Sequence, residues 1–244
     1  VRADLNVPMK DGKVTDSTRI DRTVPTLTEL TGKGARVVVM THFGRPKGQV
    51  VAEMSLAPVA EALSKACGKP VGFATDTVGD SARQLISEMN DGDIVMLENL
   101  RFNPGEEAND KDFTAELATL GDAYVSDAFS CSHRAHASTE GLAHLMPAAA
   151  GRLMQVEVES LAAALEIPTP PVAAVVGGAK VSTKMEVLGN LASKVDVLII
   201  GGGMANTFLF AQGIDVGNSL CEQDMADQAR GILETAEKAG CDVV

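Results

Sequence analysis

Tryptophan is absent from this chain of 244 residues, tyrosine occurs once, and aromatics make up only 3% of positions. A core without large rings must be built from Ala, Val, Leu, Ile and Met, which suits helices packed closely on a parallel sheet. Positive charge is scarce too: 21 Lys and Arg stand against 33 Asp and Glu, a formal charge of −12. Such a surface repels polyanions at long range and argues against a nucleic acid or an anionic membrane as partner. The cysteines Cys67, Cys131, Cys221 and Cys241 form no C-x-x-C pair. Neither a zinc site nor a disulfide framework is indicated, and a cytoplasmic location is the expectation. No apolar run approaches the roughly 18 residues of a membrane span, and the N-terminus carries no signal pattern. An initiator methionine is missing, and Val1 reads as the middle of a strand, so residues are expected before it.

What is present is ample apolar material, 45% of the chain, in an alternating pattern. Strand-like runs at 1–5, 35–41, 70–74, 93–97, 122–127, 172–176, 195–200 and 241–244 alternate with helical patterns at 18–32, 55–66, 79–90, 110–120, 152–166, 181–193 and 222–238. Such alternation predicts an α/β fold of Rossmann-like βαβ units with parallel sheets flanked by helices. The run Ile167-Pro168-Thr169-Pro170-Pro171 cannot continue the helix before it, so a two-lobed chain is expected. Its parts are a first domain at 1–151, an interdomain helix and hinge at 152–171, and a second domain from 172 to 244. The acidic stretch from Glu106 to Asp112 reads as a solvated loop and helix start, where carboxylates favour the first turn.

Four strands run straight into loops that carry His or Arg. They are Val1-Arg2-Ala3-Asp4-Leu5-Asn6, Val37 to Arg45 with Thr41-His42-Phe43-Gly44-Arg45, Ile94 to Arg101, and Tyr124 to Arg134. In an open parallel sheet, ligands bind beyond the carboxyl ends of the strands, so these groups converge on one crevice. Cations gathered there expect an anion, and within about 8 Å at physiological salt a local cluster outweighs the acidic background.

In the second lobe, Val172 to Val176 lead into Gly177-Gly178-Ala179-Lys180-Val181-Ser182-Thr183-Lys184. Glycines let a backbone approach a ligand and a helix N-terminus favours phosphate. Lys180 and Lys184, four apart, would share a helical face over a polyphosphate. The spacing is not that of a Walker A loop. Val195 to Ile200 run into Gly201-Gly202-Gly203, read equally as a backbone shelf for a base or ribose and as a tight structural turn. Asn206 stands where a dinucleotide fingerprint wants a small residue, which counts against an oxidoreductase. No G-x-S-x-G, H-E-x-x-H or H-R-D occurs. His136 near Ser138 reads as a turn interaction, and Cys131 as a bystander beside His133 and Arg134.

These motifs, together with Arg2-Ala3-Asp4-Leu5-Asn6-Val7-Pro8, Leu97-Glu98-Asn99-Leu100-Arg101-Phe102 and His133-Arg134-Ala135-His136-Ala137-Ser138-Thr139, occur in one order from end to end. In that order they resemble the phosphoglycerate kinase family. The resemblance implies a hinge-bending glycolytic enzyme that moves a phosphoryl group reversibly between 1,3-bisphosphoglycerate and ADP, giving 3-phosphoglycerate and ATP. It implies that Asp4 and Asn6 bind the glycerate hydroxyl and carboxyl end, while Arg19, His42, Arg45, Arg101 and Arg134 surround its carboxylate and phosphate. His can add charge there on demand. Arg19 and Lys180 would serve the transfer itself, Lys184 would hold nucleotide phosphate, and Gly177, Gly178, Gly201 and Gly202 would border base and ribose. The family uses Mg2+ with ATP or ADP, its metal ligand lying in a late Gly-Gly-Gly-Asp-Thr loop that this sequence does not contain. A monomer is the expectation.

Two departures stand out. Ser130-Cys131-Ser132 replaces a commoner Gly-Thr-Ala, and Arg152 stands near the hinge where an apolar residue is usual. With only part of the second sheet, the chain is expected to expose an unpaired edge and apolar faces, and to bind the glycerate ligand with little turnover. A noncatalytic phospho-ligand-binding module is the alternative.

Overall fold

A computed structural model describes every residue except Ile167, so the first residue of the proline-rich boundary lies outside the described residues. The chain divides into two units, Val1–Glu159 and Ser160–Val244, and the division falls within a helix. The first unit contains β1 (Arg2–Ala3), β2 (Met9–Lys10), β3 (Lys13–Val14), α1 (Thr18–Gly32), β4 (Val37–Val39), α2 (Ala57–Cys67), β5 (Val71–Phe73), α3 (Asp80–Ser87), β6 (Ile94–Met96), α4 (Pro104–Ala108), α5 (Lys111–Ala118), β7 (Tyr124–Asp127), α6 (Leu142–Leu145), β8 (Ala148–Ala150) and the start of α7 (Arg152–Leu165). The second contains the end of α7, then β9 (Ala173–Gly177), α8 (Met185–Ala192), β10 (Val197–Gly201), α9 (Gly203–Ala211), α10 (Ala226–Ala239) and β11 (Asp242–Val243). No helix among the described residues is long and apolar enough to cross a membrane.

In the first unit, β1, β7 and β8 pair in parallel, as do β4, β6 and β5. A parallel bridge between Arg2 and Met40 joins β1 to β4, so the order reads β8-β7-β1-β4-β6-β5. Alternate residues of β4 show why both faces are apolar. Val37 and Val39 pack with Leu27 and Leu63 of α1 and α2, while Val38 and Met40 pack with Leu97, Leu117 and Leu142 on the other face. All eight expected strands form, seven of them shorter than the sequence suggests. The order reverses at β1, between β4 and β7, so the loops after these strands open onto one switch-point crevice.

The start of α7 is tied down beside that crevice. Asp127, fully buried at the end of β7, accepts from the Met154 amide at 3.1 Å, and Arg152 forks onto the Glu29 carboxylate of α1. That explains the basic residue at 152. A Cβ on Gly151 would collide with the Asp127 carboxylate. Gly151→Ala is therefore expected to cost about 1–3 kcal/mol, read as a lower urea midpoint at unchanged slope.

In the second unit, β11, β10 and β9 form a parallel sheet in that order. Val176, Leu198 and Ile200 bury against α8, α9 and α10, but Val175 on the opposite face is 74% exposed and Ile199 37%. A parallel sheet ordinarily has both faces covered. The expected bare apolar face is thus present.

Candidate active site

The crevice of the first unit is assembled from strand ends. Asp4 follows β1, and its Oδ2 accepts from Arg19 of α1 and from Ser130 Oγ at 2.5 Å, while Oδ1 accepts from the Asn6 amide. Burial pushes the Asp4 carboxyl up, but the Ser130 hydrogen bond and the Arg19 charge outweigh it and leave it below the usual range. Arg19 is thereby held over a cleft of about 390 Å³ lined also by Thr18, Arg22, Phe129 and Leu153. Asn6 turns its Oδ1 to the Gly44 amide at 3.1 Å, tying the loop after β4 to the loop after β1.

His42 is 3% exposed and Arg101 6%. The Arg101 guanidinium donates to the Gly44 carbonyl at 2.8 Å, and its Nε sits 3.1 Å from Glu107 as an ion pair not aligned for a hydrogen bond. Asn99 holds both loops: its Oδ1 accepts from the Phe43 and Arg101 amides and its Nδ2 donates to the Phe43 and Met54 carbonyls. Arg134 adds its positive charge to the field felt by His42 and Arg101. Arg45 is exposed on the loop after β4, and none of the hydrogen bonds or ion pairs among the described residues engages it.

Sequence reasoning missed Arg2 and Glu106. Arg2 is buried at 1% exposure beneath the crevice, donating Nε–H to Ser138 Oγ at 2.8 Å and lying with Nη2 3.1 Å from His42 Nδ1. Glu106 is fully buried, so the acidic stretch is not simply a solvated loop. Its carboxylate accepts from the Ser138 amide at 3.0 Å and from Ser138 Oγ at 2.6 Å. Glu107 pairs with Arg101. The partner of Glu106 lies 32 residues away and declares itself only after folding.

The expectation that His42 supplies charge on demand is overturned. Burial first, then Arg2 and Arg101, drive its pKa down to about 3, with Asp4 opposing and Arg134 adding. His42 is a neutral imidazole at pH 7. The unfolded chain takes up this proton near pH 6.5 and the native site refuses it until about 3. Stability contributed here is therefore complete above pH 6.5 and declines as pH falls, by at most about 1.4 kcal/mol per unit. His42 ring resonances are expected to stay flat from pH 8 to 5, and movement with a midpoint near 6.5 in a native spectrum would contradict the burial.

Among the described residues, donor atoms of Asp4, His42 and Cys131 come within 4.8 Å of one another. Asp4 Oδ2 is already taken by Arg19 and Ser130, and four arginine charges surround the group. The place suits an anion, not a cation.

In the second unit, β9 and β10 end side by side with Gly177 opposite Gly201. The two readings of the glycines divide by residue. Gly202 has φ 71° and a Cβ there would sit 2.8 Å from the Gly178 carbonyl oxygen, so it is a tight structural turn. Gly201 meets nothing within 4 Å and leaves backbone open. Lys180 and Lys184 do not share a helical face: α8 begins only at Met185, with Lys184 as its N-cap and the Lys184 amide bonded to the Val181 carbonyl in a turn. Lys184 Cε instead comes within 3.6 Å of the place a Cβ on Gly178 would take. Lys180 is exposed. Glu222 precedes α10 and braces this loop, accepting from the Ser182 amide and hydroxyl, which hold its carboxyl below the usual range. Asn206 donates to the Leu220 carbonyl.

A cationic crevice at the switch point of one parallel sheet, with a glycine junction flanked by lysines in a second unit, defines a two-unit α/β protein whose first unit carries a crevice suited to an anion. The family described as phosphoglycerate kinase matches residues 1–244. The chain is 61% identical to the phosphoglycerate kinase of Rhodospirillum centenum and 60% to that of Rhizobium meliloti, over its whole length and 62% and 61% of theirs. Among solved structures, that of phosphoglycerate kinase from Coxiella burnetii is 45% identical with a TM-score of 0.86, covering all of this chain and 61% of that one. The Pyrococcus horikoshii enzyme is 33% identical with a TM-score of 0.76, over 98% of this chain and 60% of its own. The chain belongs to the phosphoglycerate kinase family, and it spans about 61% of the length of the relatives it matches.

Proposed function

We propose that the first unit is the glycerate half, and the second the nucleotide half, of an enzyme that transfers a phosphoryl group between 1,3-bisphosphoglycerate and ADP. The observation that carries the reading is the meeting of Arg19, brought from the start of α1 onto Asp4 after β1, with neutral His42, Arg101 and Arg134 beyond the ends of β4, β6 and β7. Planar guanidinium groups match carboxylate and phosphate bidentately. Asp4 and Asn6 are assigned to the glycerate hydroxyl and carboxyl end, and Arg45 to a phosphate reached from its exposed loop. Arg19 and Lys180 neutralise the transferring group, whose reaction needs positioning and charge more than covalent help. Lys184, Gly177, Gly178, Gly201 and Gly202 border the nucleotide, which the family's Mg2+ would accompany, neutralising phosphate charge when bound.

Residues 1–151, 152–171 and 172–244 are assigned as glycerate domain, connector and nucleotide domain, in a cytoplasmic monomer. Since the two ligands belong to different units, transfer requires the units to come together. The chain itself, with one face of its β9–β11 sheet bare, is proposed to bind the glycerate ligand and to turn over weakly or not at all. Calorimetric titration with 3-phosphoglycerate is expected to show saturable binding, and a coupled assay with ATP and mass-verified chain a rate near background. Absence of binding by folded chain would refute the glycerate assignment, and turnover at the rate of a full-length relative would refute the impairment.

A further inference from the structure

The buried polar chain under the crevice has a direction fixed by its chemistry. Arg2 carries donors only, because a guanidinium has no acceptor. Its Nη2 lies 3.1 Å from His42 Nδ1, so that nitrogen must offer its lone pair and the ring proton sits on Nε2. The same guanidinium gives Nη1 to the Ala3 carbonyl and Nε to Ser138 Oγ. Ser138 Oγ, accepting from Arg2, passes its own proton to Glu106 Oε1 at 2.6 Å, and the Ser138 amide points at Oε2 at 3.0 Å. Every link is therefore single-valued: Glu106 accepts twice, Ser138 relays, Arg2 donates three times, and His42 accepts.

The backbone is shaped for this arrangement. Ser138 lies in a single π-helical turn, Ala137–Gly141, in which the His136 carbonyl receives the Thr139, Glu140 and Gly141 amides. Such turns are rare and leave nearby groups free for other partners. Tyr124 anchors the turn from below through its hydroxyl on the Ser138 carbonyl at 2.9 Å. Glu106, Ser138, Arg2 and His42 are all buried, so the links are shielded from competing water.

We propose that Glu106 is a positioning residue for the crevice: acting through Ser138 and Arg2, it holds His42 in one tautomer, so that His42 meets the ligand as an Nε2–H donor and not as a cation. The part concerning the ligand rests on the reading of the crevice as the glycerate site; the tautomer does not. A fixed neutral donor gives an anion's oxygen a direction, while the arginines give it charge. Binding of the glycerate ligand then depends on a carboxylate that does not touch it.

Long-range proton–nitrogen correlation spectra of the ¹⁵N-labelled chain read the tautomer directly. The parent is expected to show His42 as a single Nε2–H form. Ser138→Ala removes the acceptor of Arg2 Nε, and Arg2→Lys keeps the charge but loses the three-way fork; both are expected to give mixed tautomers and to weaken 3-phosphoglycerate binding about tenfold. Glu106→Gln, which keeps the shape, is expected to fall between parent and Ser138→Ala. Thermal melts by circular dichroism select the folded variants, and Glu106→Gln serves where Ser138→Ala does not fold. An Nδ1–H tautomer in the parent, or an unchanged His42 spectrum in folded Ser138→Ala and Glu106→Gln, overturns the proposal. If the tautomer responds as expected and the parent binds no 3-phosphoglycerate, the glycerate reading fails while the assignment of Glu106 to the tautomer stands.

Discussion

Arg101→Ala is expected to weaken 3-phosphoglycerate binding by at least about thirtyfold while leaving the chain folded. Truncating one partner of a buried charge-assisted contact costs about 2–5 kcal/mol, and about 1.4 kcal/mol is tenfold in affinity. The side chain is 7% exposed and its guanidinium is fixed at Gly44 and Glu107, so little ordering remains to be done on binding. The local fold should survive the loss of the Arg101–Gly44 bond, because Asn99 still ties the loop after β6 to the loop after β4 through the Phe43 amide and carbonyl and the Met54 carbonyl. Arg101→Lys should lie between, since an ammonium keeps the charge and loses the fork. A second readout follows from electrostatics. Arg101 is one of the charges holding the His42 pKa down, so its removal should move that pKa upward. Affinity within threefold of the parent in a folded variant would remove Arg101 from the ligand site.

What could be seen in the sequence depended on how far each residue's partner lies along the chain. Helix α1 was legible over Thr18–Gly32 because its apolar spacing is local, even with Pro25 inside. The convergence of strand ends was legible because parallel topology alone sends those loops to one side. The hairpin of β2 and β3 has its signal in Asp11-Gly12, both at positive φ, but its strands of two residues are too short to alternate. β8 is three alanines, which carry no strand preference, and forms because β7 offers an edge. Helix α9 starts among the glycines read as a loop. The start of α8 was placed four residues early because Val181-Ser182-Thr183-Lys184 forms a turn held by Glu222, 40 residues away. Glu106 and Arg2 are the same case in the site. A buried charge is marked only by its partner, and periodicity does not name partners across 32 or 136 residues.

The glycine junction offers the sharpest separation of folding from ligand binding. Gly202→Ala is expected to destabilise the second unit by about 2–4 kcal/mol: a backbone conformation reserved for glycine costs an L-residue about 1–3 kcal/mol, and crowding against backbone adds to it. The backbone at Gly202, φ 71° and ψ −162°, lies in the extended region at positive φ that only glycine adopts freely, and the obstructing atoms are the Gly178 oxygen and nitrogen, at 2.8 and 3.1 Å from the new Cβ, neither of which can swing aside as a side chain would. Because the only tyrosine, Tyr124, lies in the first unit, its fluorescence should report an unchanged transition there. Hydrogen exchange of β9, β10 and α9 should accelerate. Gly201→Ala is the complement. Its Cβ meets nothing, so stability should stay within about 0.5 kcal/mol, yet the methyl would stand on the open backbone assigned to the nucleotide. Calorimetric ADP titration is expected to show at least fivefold weaker binding for this variant at an unchanged melting profile. Equal ADP affinity in Gly201→Ala and parent would mean that the nucleotide does not lie on the Gly201 backbone, and the second unit's ligand would then have to be sought on the Lys184 side of the junction.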